Sequence, residues 1–360
     1  MRQQIKCRGS EVPFGSYIES DVTTSSGVLL LRAGTAVDSR IKDVLSRYMK
    51  PVLISIEAPD KVIEDVVIGT TIEDEKILEL DENIKERALQ GVEYMYANPT
   101  TESSITAAKD TSSMLLDVTH HSSAINISLN SIKVSDDYTF KHCVDVATMG
   151  ILLAQYLNLA QRDIESIAIA GILHDLGKTQ IPDEILNKPA KLSDEEYNII
   201  QQHPRYGYNI VKDSNDLSDF AKTGILFHHE KVDGTGYPLK LKSSQISLSG
   251  KLLAVVDVYD ALVTKRPYRK DIIEPATAIE MMLAMSNQFD IAILNAFLKC
   301  IIIYPIGTKL LLSDKNVYQV VAQNVGYPLR PIVVNLETKE RCDLLKDKRF
   351  LCLTILSSIE

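Results

Sequence analysis

Apolar positions along the chain change their spacing from segment to segment, and the spacing predicts where strands give way to helices. Residues 1–57 read as short strands around one helix. SSGVLLLRAGTAV sets an apolar run between two glycine turns, the pattern of a hairpin-like β unit. In DSRIKDVLSRYM, Ile41, Val44, Leu45 and Tyr48 recur at helical spacing, and PVLISIE then reads as a strand. Residues 58–133 carry helical patterns, ILELDENIKERALQGVEYMYA and a second one reaching about Ile132, split by the polar break NPTTESS. This stretch is expected to be a helical connecting segment, either transmitting a signal or simply packing against the next domain. Residues 134–302 are helical in pattern throughout. From Tyr304 the character changes again: TKLLLSDKNVYQVVAQ reads as strand, turn, strand, and RPIVVNLE as a further strand. Residues 303–360 are therefore expected to form a small β-rich extension. The expected fold class is mainly α, with a small β-rich module at the N-terminal end and another at the C-terminal end.

Composition narrows the class. At 360 residues, two or three structural units are expected. With 45% hydrophobic and 24% charged residues the chain is ordinarily globular, and a net charge of −9 argues against a broad basic surface for polymeric nucleic acid. A small phosphorylated ligand stays open, because metals and a few local arginines can supply positive charge. The cysteines, Cys7, Cys143, Cys300, Cys342 and Cys352, are irregularly spaced without a CxxC pair, which fits a reduced, cytoplasmic setting. MRQQIKCRGSEVPFGSY has no apolar signal region, and FLKCIIIYPI is too short to span a bilayer, so neither a signal peptide nor a membrane span is expected.

The candidate chemistry lies in residues 134–302. Five of the seven histidines fall there, namely His142, His174, His203, His228 and His229, accompanied by Asp175 and Asp257. Imidazole and carboxylate together suit divalent Fe, Mn, Zn or Ni. One histidine on a helix is usually an ordinary packed residue; five within distinctive local motifs are harder to explain that way. His142 sits in a helical pattern with Val146, Leu152, Leu153 and Tyr156. In GILHDLGKTQIPDEIL, His174 and Asp175 stand near the end of an apolar helix that Gly177 can stop. A carboxylate there can join two metals, and Lys178 could contact a substrate phosphate. In LNKPAKLSDEEYNIIQQHPRYGYNIV, Ser193 and Glu196 form a capping box, and His203 is expected to close that helix before Pro204. Taken alone, His203 would read as a cation on a helix dipole. In FHHEKVDGTGYPLKL, His228 and His229 can share one metal lying off a helix end, while Gly234 and Gly236 permit a tight loop leading to Tyr237. In KLLAVVDVYDALVTKRPYRK, Asp257 lies in an apolar helix, where a carboxylate is costly unless paired or metal-bound. Arg266 and Arg269 suit phosphate or guanine contacts, the alternative being surface ion pairs.

These motifs, taken with IPDEILNKP, HHEKVDGTGYP, VVDVYDAL and RPYR, resemble the HD-GYP family of cyclic di-GMP phosphodiesterases within the HD metal-dependent phosphohydrolases. The match covers roughly 134–302. The resemblance implies an HD-type helical bundle as the catalytic domain. It implies one metal on His142, His174, Asp175 and Asp257 and another on Asp175, His203, His228 and His229, with Asp175 bridging. Tyr237, Arg266 and Arg269 would meet the dinucleotide, and Lys178 its phosphate. Some members carry a glutamate four residues before the first histidine, helping to hold a third metal; here that position is Tyr138, so two metals are expected. Fe or Mn come first among the metals, with Zn, Ni, Mg or Co admitted by the same donors. The implied activity is hydrolysis of cyclic di-GMP to pGpG, and then GMP if the linear product rebinds, by attack of a metal-bridging hydroxide. The alternative is a non-catalytic module that senses the same ligand in the same pocket. Other cyclic dinucleotides, signalling protein partners and a homodimer are compatible with these motifs.

Overall fold

The computed structural model describes residues 80–100, 102–120, 138–264 and 273–359, together with the short segments 2–8, 17–18, 20–23, 29–33, 35, 51–57 and 71–72. The helix expected over DSRIKDVLSRYM, the end of the pattern near Ile132, and Arg266 and Arg269 lie outside the described residues. The chain divides into two units, Met1–Ile68 and Gly69–Glu360.

In the first unit β1 (Arg2–Arg8) and β2 (Tyr17–Ile18) both pair antiparallel with β5 (Pro51–Glu57), the PVLISIE strand. β3 (Val22–Thr23) and β4 (Leu29–Leu31) pair antiparallel with each other.

The second unit starts with β6 (Thr71–Ile72) and the helical pair α1 (Glu82–Ala97) and α2 (Glu102–His120). The central layer follows: α3 (Tyr138–Tyr156) and α4 (Gln161–Leu173). Val146, Leu152 and Leu153 of α3 are buried in a core that also takes Val92 and Met95 of α1 and Leu115 of α2. The connector pattern thus contributes to the same core as the histidine-bearing helices. A 3-10 turn at Leu176–Gln180 leads to the short α5 (Asp183–Leu186), α6 (Asp194–Ile200), α7 (His203–Val211) and α8 (Asp219–Phe227). α9 (Leu248–Val263), α10 (Pro275–Ala284) and α11 (Ile291–Cys300) complete the helical body.

Local signals place these helices. Ser193 accepts from Glu196 N while Glu196 accepts from Ser193 N, so the capping box forms at the start of α6. Ser218 and Ser247 cap α8 and α9 in the same fashion, through Ala221 N and Gly250 N. Among the described residues no helix is long and apolar enough to cross a membrane.

Strands β7 (Lys309–Leu312), β8 (Val317–Asn324), β9 (Ile332–Asn335), β10 (Arg341–Asp343) and β11 (Ile355–Ile359) form an antiparallel sheet in the order β10-β9-β8-β7-β11, with β6 paired to β8. Its core is separate and small, built on Leu310, Leu312, Tyr318, Val320 and Val333.

Candidate metal centre

Five stretches of chain converge on one buried point. α3 delivers His142, the end of α4 delivers His174 and Asp175, α7 begins with His203, α8 ends into His228 and His229, and α9 carries Asp257. His142, His174, Asp175, His203, His228 and Asp257 are each at most 4% exposed. His203 differs from the sequence expectation: α6 ends at Ile200, and His203 opens α7 rather than closing α6. Proline at the first turn of a helix lacks only an N–H that would be unpaired anyway, so Pro204 starts a helix as readily as it ends one.

Three of the histidines are oriented by the same device. His174, His203 and His228 each use Nδ1 to donate to the carbonyl three residues earlier, Gly171 O at 2.8 Å, Ile200 O at 2.8 Å and Ile225 O at 2.7 Å. A proton on Nδ1 leaves a lone pair on Nε2 of the neutral ring. Those lone pairs point inward. His203 Nε2 stands 3.2 Å from His228 Nε2, and His174 Nε2 stands 3.3 Å from His142 Nε2.

The carboxylates lie between these pairs. Asp175 Oδ1 is 3.2 Å from His203 Nε2, whereas Oδ2 is 3.4 Å from His174 Nε2 and 3.8 Å from His142 Nε2. Asp257 Oδ1 is 3.0 Å from His142 Nε2, and its Oδ2 is 3.4 Å from His229 Nδ1. Ligand atoms fall into two groups, each within 4.8 Å: His142, His174 and Asp257 in one, Asp175, His203, His228 and His229 in the other. Each carboxylate turns one oxygen toward each group.

The residues present fit metal ions. Two nitrogens bound at about 2.0–2.1 Å to one metal stand roughly 3–3.4 Å apart at tetrahedral or octahedral angles. Both inward-facing nitrogen pairs have that separation, which two lone pairs would not hold without a cation or proton between them. Asp175 Oδ1 is also buried without a hydrogen-bond partner, an acceptor left open toward the second group.

Charge states in the metal-free protein follow from burial and neighbours. His142 is raised from 6.5 to about 10: burial disfavours its charge, but hydrogen bonds with Asp257 and Asp260 outweigh that. Burial lowers His229 to about 3 and holds His228 well below its ordinary range, with the other histidines adding to the His228 effect. Burial pushes Asp175 and Asp257 upward, yet Lys178 and His174 around Asp175, and His229 and His142 around Asp257, hold both well below the usual carboxylate range. His228 and His229 beside ionised carboxylates are thus in the protonation state metal ligation requires, whereas His142 must give up its Nε2 proton to bind an ion.

Asp260 and Glu230 were not singled out by sequence reasoning. Asp260 Oδ2 accepts from His142 Nδ1 at 2.5 Å, doing for His142 what a backbone carbonyl does for the other three. The available signal was its place three residues after Asp257, on the same face of α9. Glu230, the last residue of the HHE triplet, is buried and accepts from two backbone N–H groups of the following loop.

Lys178 Nζ sits 2.5 Å from Asp175 Oδ2, so the ammonium lies against the carboxylate shared by the two groups. The Tyr237 ring packs 4.6 Å from the His229 ring. Gly177 serves close packing rather than a left-handed helix stop: a Cβ there would lie 1.9 Å from His203 O and 2.4 Å from Gly207 N.

Residues 130–293 match the family described as HD domain. The chain is 40% identical over 216 residues to the Pseudomonas aeruginosa protein named cyclic di-GMP phosphodiesterase PA4108, covering 60% of this chain and 52% of that one. It is 38% identical over 162 residues to the Vibrio cholerae protein named 3'3'-cGAMP-specific phosphodiesterase 2, covering 45% of this chain and 31% of that one. It therefore spans about half or less of the length of these relatives. A solved structure titled as an HDG"Y"P protein from Bdellovibrio bacteriovorus gives a TM-score of 0.48 at 19% identity, covering 82% of this chain and 98% of that one.

Proposed function

With residues 130–293 belonging to the HD domain family, we propose that the two ligand groups form a dinuclear metal centre that hydrolyses a phosphodiester bond of a cyclic dinucleotide, cyclic di-GMP foremost. His142, His174 and Asp257 would hold one ion. His203, His228 and His229 would hold the other, and Asp175 would join them. Fe or Mn are the ions assigned. Bound there, the metals would acidify a water and screen the anionic phosphodiester.

The chain's own residues supply the rest. The i−3 carbonyls and Asp260 fix which nitrogen of His142, His174, His203 and His228 faces the centre. Lys178 adds a positive charge next to the shared carboxylate, placed for a non-bridging phosphate oxygen. Tyr237 covers the His229 side of the centre, where a base or sugar of the substrate would rest, and Arg266 and Arg269 are assigned to its phosphate and guanine groups.

One observation carries this reading: two pairs of facing imidazole nitrogens, each at single-metal separation, with Asp175 turning one oxygen to each. Relatives named for cyclic di-GMP and 3'3'-cGAMP phosphodiesterase activity support the substrate class. The test is protein reconstituted anaerobically with Fe(II) or Mn(II) and assayed against a panel of cyclic dinucleotides. Release of linear pGpG from cyclic di-GMP is expected. Binding of cyclic di-GMP without product would replace the enzyme with a sensor.

A further inference from the structure

We infer that Glu230 is a positioning residue for Tyr237: its buried carboxylate clamps the loop that carries Tyr237 onto the helix end that carries His228 and His229. The inference rests on the reading of Tyr237 as a substrate contact.

Glu230 is 3% exposed, and no lysine or arginine ion pair to it is found among the described residues. Both of its oxygens are spent on backbone: Oε1 accepts from Leu239 N at 2.6 Å and Oε2 from Leu241 N at 2.8 Å. Hydrogen bonds from neutral donors to a charged acceptor are among the stronger ones, and a buried carboxylate deprived of them bears a large desolvation cost. Between the two donors lies Lys240, a non-glycine residue in the left-handed region at φ 56°. A residue stays in that region only when its surroundings over-determine it. The paired N–H contacts on either side provide that.

The clamp acts on Tyr237 from the far side of the loop. Tyr237 N donates to His229 O at 3.1 Å, and a Cβ on Gly236 would lie 2.4 Å from Lys231 N and 2.6 Å from Glu230 Cα and from His229 O. The loop thus folds flat onto residues 229–231, held near its start by Tyr237 N and beyond Tyr237 by Glu230. Without the second hold, the ring would no longer be confined to its place 4.6 Å from His229.

Glu230→Gln keeps the shape of the side chain but turns one acceptor into an NH2 group facing a backbone N–H. Because the chain contains no tryptophan, Y237W creates a single fluorescent reporter at the loop. Adding E230Q to Y237W is expected to shift the emission to the red and increase iodide quenching, with bound metal unchanged. Identical emission and quenching would overturn the assignment. In the metal-loaded enzyme, E230Q is expected to lower kcat/KM for cyclic di-GMP about tenfold, mainly through KM, and to have no further effect in a Y237A background. Full additivity of E230Q and Y237A would overturn it too, because a merely structural loss would not depend on Tyr237. E230A is the harsher companion, expected to exceed E230Q in both readouts. Absence of hydrolysis by the wild type would instead overturn the function, and the fluorescence comparison, which uses no substrate, would still decide the role of Glu230.

Discussion

His203 Nε2 faces His228 Nε2 across 3.2 Å while the Nδ1 of each ring donates to the carbonyl three residues before it. Neither ring can turn to relieve the contact without abandoning a buried hydrogen bond. The pair is therefore held ready for a cation, and the same holds for His174 opposite His142.

The proposed bridging by Asp175 makes metal content the first measurement. Asp175→Ala removes a carboxylate that faces both groups and is expected to empty both, whereas His203→Ala is expected to empty only its own. Elemental analysis should read two ions per wild-type chain, about one in H203A and close to none in D175A. The activity loss should exceed the roughly 10–100-fold typical of losing a ligand's hydrogen-bond partner. Full metal occupancy in D175A would remove Asp175 from the bridging position.

Asp260 gives a subtler test. Asp260→Asn preserves size but weakens the 2.5 Å contact that directs His142 Nε2 at the first group. Metal affinity is expected to fall about 10–100-fold, with the fold intact. Titration of metal-free protein with Mn(II) checks this, and an unchanged isotherm would leave Asp260 as packing only.

Protons and metals compete for the same nitrogens, so the metal-free protein should show a distinctive pH profile. His142, raised from 6.5 to about 10, contributes stability that is fully present below pH 6.5 and lost as pH rises toward 10. His229, lowered to about 3, and His228, also lowered, act in the opposite sense. Below pH 6.5 the unfolded chain takes up protons that these folded side chains refuse, so stability falls with pH. Asp175 and Asp257 add a further acid loss once pH drops below the usual carboxylate range. Thermal melts in chelator are expected to peak near pH 6.5, where the histidine contributions cross. With metal bound, the alkaline decline should vanish, because a metal replaces the proton on His142 Nε2. A flat profile for metal-free protein from pH 5 to 9 would contradict these assignments.

How much was legible in the sequence depended on the range of the interaction. The Ser193–Glu196 capping box, the pairing of His174 with Asp175 and the strand–turn–strand of residues 309–324 are set by neighbours in the chain, and periodicity and cap residues found them. Asp260 escaped because its meaning lies in a contact with His142, 118 residues away. Glu230 escaped because its partners are backbone N–H groups, which look the same in any sequence. The helix of His203 was misjudged because Pro204 is compatible with either a stop or a start. The start at His203 lies against Gly177, a close packing that no local signal reports.

That packing gives the last prediction. The 3-10 turn carrying Gly177 lies directly on the first turn of α7, so closely that an alanine Cβ would overlap His203 O and Gly207 N. Both obstacles are backbone atoms, and a rotamer change cannot make room. Gly177→Ala must therefore push α7 away from the turn, at a cost of about 1–3 kcal/mol or more. The displaced residue is His203, so the damage should be directional: the group containing His203, His228 and His229 is expected to lose metal affinity before the His142 group does. Denaturant unfolding of the metal-free variant measures the first effect, and stepwise metal titration measures the second. Gly207→Ala is the control. Its Cβ would meet the Ile225 side chain at 3.2 Å and Gly177 N at 3.3 Å, contacts that small shifts can relieve. It should cost less and leave both metal sites occupied. If Gly177→Ala matched Gly207→Ala in stability and metal content, the close approach would have no part in holding His203 at the centre.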